Sequence, residues 1–228
     1  RVRVADLNKD GQPDLIIVRG FDNTTRVQNS WIYWGGRDGW AEKYHAELPT
    51  PYATDVCSGD LDGDGFVDLV FGSQKETLVY WGGSDGYSLH RRGTITTAAV
   101  SGCMAGDLDG DRQDDLVLLT GGKAKVYWGE KKKRTFGAAK PLALEKVAAV
   151  SKLGDRVVVS TGAGVVVGSL RGRTLRTDQT LAFTGGRVLV DDLNRDGVAD
   201  LVVARASVGR KWLTTSRIYW GSGTMGAE

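Results

Sequence analysis

The residues best suited to chemistry in this chain are carboxylates set at every second position. The stretch GDLDGDGFVDLVFG, residues 59–72, places Asp60, Asp62, Asp64 and Asp68 within nine residues and runs straight into an apolar segment. Such charges repel one another unless a cation holds them. Counted from the first Asp, oxygen-bearing side chains stand at positions 1, 3, 5 and 9. The same spacing returns as Asp6, Asn8, Asp10 and Asp14, as Asp107, Asp109, Asp111 and Asp115, and as Asp192, Asn194, Asp196 and Asp200. Position 7, held by Gln12, Phe66, Gln113 and Val198, can add its main-chain carbonyl. Alternating oxygens on a curled loop converge on one point, and a cage of about six to eight oxygens suits Ca2+ better than Mg2+ or a softer metal. Up to four calcium ions are expected, each pinning a loop by offsetting carboxylate repulsion. Gly11, Gly65 and Gly197 supply a positive φ at position 6, whereas Arg112 stands there in the third loop and sets that site apart. Helical calcium motifs are excluded, because position 12 of the second loop is Phe71 and the chain continues as a strand.

These loops belong to a repeated unit. A second phrase follows each of them, as IYWGG at Ile32, VYWGG at Val79, VYWGE at Val126 and IYWGS at Ile218, and Tyr33, Tyr80 and Tyr127 are 47 residues apart. The wider gap before Tyr219 holds an eroded fifth copy over residues 151–169, with Val166 and Val167 expected in the place of Tyr-Trp. Every copy reads as strand, acidic loop, strand, turn, Tyr-Trp strand, turn and outer strand. In the second copy the strands are expected over residues 52–58, 68–72, 77–81 and 87–92. Short β-branched runs between Gly and Asp turns, at a period in the forties and without helical periodicity, predict an all-β fold, a β-propeller of about five four-stranded blades. The blades are expected over residues 1–50, 51–94, 95–141, 142–180 and 181–228 of a single domain, closing as a five-bladed ring or forming part of a larger one, such as a seven-bladed ring. Leu7, Leu61, Leu108 and Leu193 share one loop position and Leu15, Leu69, Leu116 and Leu201 begin the next strand, so both sets are expected in the core, with Tyr-Trp packing between blades.

Composition narrows the classes of function. The chain has 228 residues, of which 41 % are hydrophobic and 25 % charged, enough for a sizeable core. Its apolar runs are too short to cross a membrane as helices. It opens on Arg1 without an initiator Met, which is expected of a chain whose leader has been removed or which belongs to something longer. Cys57 and Cys103, each before an acidic loop, read as small buried thiols. Fourteen of the 28 acidic residues occupy the loop positions, so the 30 Lys and Arg face far fewer carboxylates elsewhere, and a protein or glycan partner of anionic character fits that surface. The run EKKKR at residues 130–134 adds a cationic patch. No recognition helix, zinc module or basic-aromatic platform points to nucleic acid. His45 and His90 fall at unmatched positions of expected outer strands, and every repeated Asp is used by a loop, so no catalytic set is expected.

The interval from the ninth loop residue to the Tyr of Tyr-Trp is 12 residues in the second and third copies but 19 in the first and last. The two insertions fall between second and third strands, on the face opposite the acidic loops. They bring Arg26, Asn29 and Trp31, and Arg210, Lys211 and Trp212, as a candidate ligand surface.

The nine-residue loop followed by DLV, repeated with YWGG, resembles the FG-GAP or VCBS-type repeat, the calcium-loop blade of integrin α-subunit heads and of bacterial secreted proteins and some lectins. In the strands that follow the acidic loops Phe-Gly occurs only at Phe71 and Gly72, and Gly-Ala-Pro is replaced by YWGG as in bacterial versions, so integrin-like ligand recognition is not carried over. The resemblance implies an extracellular or cell-surface binding and adhesion module with calcium at the blade edges. A structural or assembly propeller and an accessory domain of a secreted enzyme are the alternatives.

Overall fold

The computed structural model describes residues 1–19, 28–183, 186–205, 215–221 and 226–227. Among these, twenty strands form five four-stranded antiparallel sheets, each with its strands in chain order. The first sheet contains β1 (Val2–Ala5), β2 (Asp14–Ile17), β3 (Asn29–Tyr33) and β4 (His45–Pro49). The second contains β5 (Ala53–Gly59), β6 (Asp68–Ser73), β7 (Thr77–Tyr80) and β8 (Arg92–Ile95). The third is built from β9 (Val100–Gly106), β10 (Asp115–Thr120), β11 (Lys123–Tyr127) and β12 (Lys140–Pro141), and the fourth from β13 (Ala149–Leu153), β14 (Arg156–Ser160), β15 (Val165–Ser169) and β16 (Arg176–Leu181). In the fifth are β17 (Arg187–Asp191), β18 (Asp200–Ala204), β19 (Arg217–Trp220) and β20 (Gly226–Ala227). This is the all-β architecture of propeller blades.

The chain divides into two compact units. The first comprises Arg1–Gly106, Arg112–Gly121 and Lys125–Lys140, the second Asp107–Asp111, Gly122–Ala124 and Pro141–Glu228. In the first unit β6 and β10 are buried at every position, which is why DLVFGS and DLVLLT read as continuous apolar runs rather than alternating ones. Ile16, Ile32, Leu69, Phe71 and Tyr80 centre one of its clusters, and Val70, Trp81, Leu116, Leu118 and Tyr127 another. The sheets of this unit meet through aromatics, of which the sequence pattern placed only the tryptophans there. Trp34 stacks on Tyr87 at 6.5 Å between ring centroids, and Trp81 on Phe136 at 6.0 Å. Inner strands are tied by polar contacts as well: Thr54 Oγ1 donates to Val100 O at 2.6 Å, and buried Asp55 accepts from Arg1 Nη1 at 3.0 Å. In the second unit Val158, Val165, Val167, Leu201, Val203 and Tyr219 form the core.

Three expectations need correction. The fourth strand of the second sheet is β8, not residues 87–92. Tyr87 turns its ring onto Trp34 and donates its hydroxyl to Val67 O at 2.8 Å, and a 3-10 turn at Leu89–Arg91, which contains His90, delays the strand. In the eroded copy, β13 and β14 close through Gly154 (φ 58°) and Asp155 with Leu153 opposite Arg156, so Val157 pairs with Gly168. That is the place at which Leu15 faces Tyr33, Leu69 faces Tyr80 and Leu201 faces Tyr219. Gly168, not Val166 or Val167, therefore holds the Tyr position, a two-residue difference that preserves which face each side chain occupies. Leu7 and Leu61 are covered by residues of the following sheet and Leu108 is buried, but Leu193, in the last sheet, is 43 % exposed.

Candidate metal centres

Each acidic loop joins the first two strands of its sheet, and its curl is built from its own carboxylates. In the second loop Asp60 Oδ1 and Asp62 Oδ1 both accept Asp64 N–H at 3.1 Å, Asp60 Oδ2 accepts Gly65 N–H at 3.0 Å, and Asp64 Oδ1 accepts Phe66 N–H at 2.9 Å. Residues 6–12 repeat these bonds with Asp6, Asn8 and Asp10, and residues 192–198 with Asp192, Asn194 and Asp196. Three loops that differ at positions 4, 7 and 8 thus have one geometry, closed by the same side-chain oxygens. Gly11, Gly65 and Gly197 have φ of 83°, 93° and 85°, and Arg112 takes 70° in the third loop at the steric cost that glycine avoids.

Asp60, Asp62 and Asp64 each offer one carboxylate oxygen within 4.8 Å of the others, and Asp107, Asp109 and Asp115 do the same in the third loop. Such an all-oxygen set fits a hard divalent cation. The amides of Gln12, Phe66 and Val198 are committed to the carboxylate of position 5, and Gln113 donates Nε2 to Arg112 O at 2.8 Å. Asp111 N–H reaches Asp109 Oδ1 at 3.1 Å and Gly110 N–H reaches Asp107 Oδ1 at 2.8 Å.

The ninth residue has a further duty that spacing alone did not reveal. Asp14, Asp68, Asp115 and Asp200 are fully buried, and each accepts at Oδ1 the amide of the glycine after Tyr-Trp: Gly35 at 2.7 Å, Gly82 at 2.8 Å, Gly129 at 2.9 Å and Gly221 at 2.9 Å. Oδ2 of Asp14, Asp68 and Asp200 accepts from the loop leucine at 2.8, 2.8 and 2.9 Å. The loop and the YWG phrase are therefore one device. Only glycine fits after Tyr-Trp, because a Cβ on Gly82 would lie 2.4 Å from Val67 O, and those on Gly35, Gly129 and Gly221 meet the equivalent carbonyls as closely. Burial pushes Asp68 up to about 7, against the pull of the Gly82 and Leu61 amides, and raises Asp14 and Asp60 in the same sense.

Position 3 divides the loops. Where it is Asn, the side chain bonds within its own loop: Asn8 Nδ2 to Asp10 Oδ2 at 2.9 Å, and Asn194 Nδ2 to Asp196 Oδ2 at 2.8 Å. Where it is Asp, an arginine from the following sheet reaches it: Arg134 Nε to Asp62 Oδ2 and Arg173 Nε to Asp109 Oδ2, both at 2.8 Å. The cationic run 130–134 is thus docked on the second loop, where Lys132 N–H also donates to Asp62 O at 2.6 Å.

Of the residues proposed from sequence as ligand-binding, Arg26, Arg210, Lys211 and Trp212 lie outside the described residues. Asn29 donates to Glu47 Oε2 at 2.9 Å. Trp31 is half-buried beside Tyr33 and His45, with the Arg19 guanidinium 3.9 Å over its ring. A different aromatic group is open. The β3–β4 connection of the first sheet surrounds a cavity of about 550 Å3 lined by Trp34, Arg37, Asp38, Trp40, Lys43 and Tyr44, with Trp40 47 % and Tyr44 56 % exposed. Trp40 holds the place of Tyr87 and likewise donates to the carbonyl before a ninth Asp, Pro13 O at 2.9 Å.

Residues 6–71 and 60–118 match the model of the FG-GAP-like repeat, and the repeat over those residues is of the FG-GAP type. No curated protein matches the chain in sequence. Among solved structures it is similar to an Agrocybe aegerita lectin that recognises non-reducing terminal N-acetylglucosamine, with TM-score 0.60, 16 % identity and coverage of 100 % of this chain. The chain spans 64 % of that lectin's length. It is similar also to the BBS1N chain of a complex with ARL6DN, with TM-score 0.52, 13 % identity and coverage of 96 % of this chain and 78 % of that one. The Dos1 propeller gives TM-score 0.52 at 9 % identity over 89 % of this chain and 51 % of that one. The fold class is the β-propeller.

Proposed function

We propose that the chain is a calcium-stabilised, non-catalytic β-propeller recognition module, secreted or displayed at the cell surface, that binds glycans of acidic character through the aromatic cavity of the first sheet. The observation carrying this reading is the pair of exposed rings, Trp40 and Tyr44, beside Arg37 and Lys43 in an open cavity of about 550 Å3. Sugar rings stack their C–H faces on indole and phenol, and cavities of this size hold small ligands. Arg37 and Lys43 outnumber Asp38 and so favour an anionic substituent. A lectin of like fold supports the reading. Calcium would be held by the carboxylates of positions 1, 3 and 5 with the ninth Asp behind them; its charge offsets their repulsion. Millimolar free calcium outside cells suits such exposed sites.

A glycan array probed with and without EDTA tests this. Binding of uronate- or sulfate-bearing glycans that falls at least about tenfold in Trp40→Ala and Tyr44→Ala, but not in Trp31→Ala, is expected. Unchanged binding in Trp40→Ala sinks the assignment. One observation favours a second reading, assembly: Tyr87 and Phe136, at comparable places in their sheets, stack on a preceding tryptophan. In that case Trp40→Ala changes the oligomeric state rather than glycan binding.

A further inference from the structure

Arg134 and Arg173 answer an imbalance in the acidic loops. The first and last loops carry three carboxylates at positions 1, 5 and 9, with Asn8 or Asn194 at position 3. The second and third carry four, and in these two alone among the described loops an arginine of the following sheet reaches position 3. Counted over positions 1, 3, 5 and 9 alone, one guanidinium brings four carboxylates to the net charge of the three-carboxylate loops; Lys9, Arg112, Asp114 and Arg195 stand at other positions of these loops and lie outside that count. The bonds are well formed, with Nε of each arginine 2.8 Å from Oδ2 of Asp62 or Asp109, while Nη2 of Arg134 lies 3.3 Å from Asp64 Oδ2 and that of Arg173 3.6 Å from Asp111 Oδ2. They leave Oδ1 of position 3 to the loop amide, where it faces the carboxylate cluster. Burial follows the same division: Asp62 is buried and Asp109 half-buried, whereas Asn8 and Asn194 are exposed.

The first loop supplies the internal comparison. Its position 3 is Asn8, and the corresponding stretch of the following sheet carries Arg91, which turns instead to its own Asp85 at 2.7 Å and to Gly86 O at 2.5 Å. An arginine in that connection does not by itself go with a bridge; the acid at position 3 does.

We propose that Arg134 and Arg173 are resident counter-cations that keep the second and third acidic loops closed when no divalent ion is present and tie each loop to the next sheet, whereas the two asparagine loops depend on the ion for closure. The two arginines are positioning residues and stand outside the carboxylate cluster. This proposal goes beyond the recognition function and needs no ligand to be tested.

The test is a charge-rescue cycle followed by thermal unfolding in EDTA and in calcium chloride. Arg134→Gln is expected to lower the midpoint by about 4 °C in EDTA and by less than half of that in calcium, because the ion then supplies the missing charge. Asp62→Asn combined with Arg134→Gln rebuilds the composition of the first loop and is expected to recover most of the loss in EDTA. Arg173→Gln with Asp109→Asn gives an independent arm. No loss in EDTA, equal losses in EDTA and calcium in a chain that binds calcium, or no recovery in either double variant, would overturn the proposal. If the chain took up no calcium at all, the loss and rescue in EDTA would still be measurable, so failure of the calcium reading and failure of the arginine role are separable.

Discussion

The ninth carboxylate of each acidic loop does different work from the other three. Asp68 is sealed from solvent and spends both oxygens on main-chain amides, so it fastens the loop to the next hairpin before any ion is considered. Its proton is held to about pH 7 in the native chain, whereas an unfolded aspartate releases it near 3.8. Between those limits the native state binds the extra proton, so stability in EDTA falls as pH rises through that window and is greater at the acid end. Urea titrations in EDTA are expected to give a higher unfolding free energy near about pH 5.5 than near about pH 7.5, with a flatter slope in Asp68→Asn. The proposed calcium affinity is expected to run the other way and to weaken as pH falls, since the proton and the ion favour opposite states of the same group. Gly82 is the partner to change next. Alanine there meets Val67 O at 2.4 Å and displaces the amide that Asp68 holds, and a loss of about 2 kcal/mol or more is expected in urea.

At the scale of the sheet, Phe136 closes the second blade on the third by stacking on Trp81 and meeting Tyr127 edge-on at 6.0 Å. Phe136→Ala is expected to cost about 2 kcal/mol in urea, with little effect on calcium uptake. Much of this level was legible beforehand, because oxygen spacing, Gly65 and the YWGG phrase are local signals, each fixed within one loop or turn. The register of the eroded copy was not, since a two-residue turn replaced the nine-residue loop and no ligand marked where the count should start. Tyr87 was read as a strand residue because the indole on which it stacks, that of Trp34, belongs to another sheet. Arg134 and Arg173 escaped for the same reason: each meets its aspartate 72 or 64 residues away. The open rings of Trp40 and Tyr44 went unmarked because Trp40 sits inside the ordinary repeat, and only its exposure distinguishes it.

Across the whole chain, fourteen carboxylates are gathered in four bends, and if calcium fills them as proposed, stability is expected to depend on free calcium. Each site filled at about a hundred times its dissociation constant adds about 2.7 kcal/mol. The unfolding midpoint is expected to climb with calcium and to fall on chelation; a midpoint indifferent to both would remove the cation from the account. Cys57 and Cys103 offer an independent gauge of the first unit. They are free thiols buried on the adjoining strands β5 and β9, and burial pushes the Cys103 thiol well above its ordinary value. A thiol-trapping reagent gains entry only while those strands part, so its slow uptake becomes a clock for breathing within the first unit, readable without any engineered label.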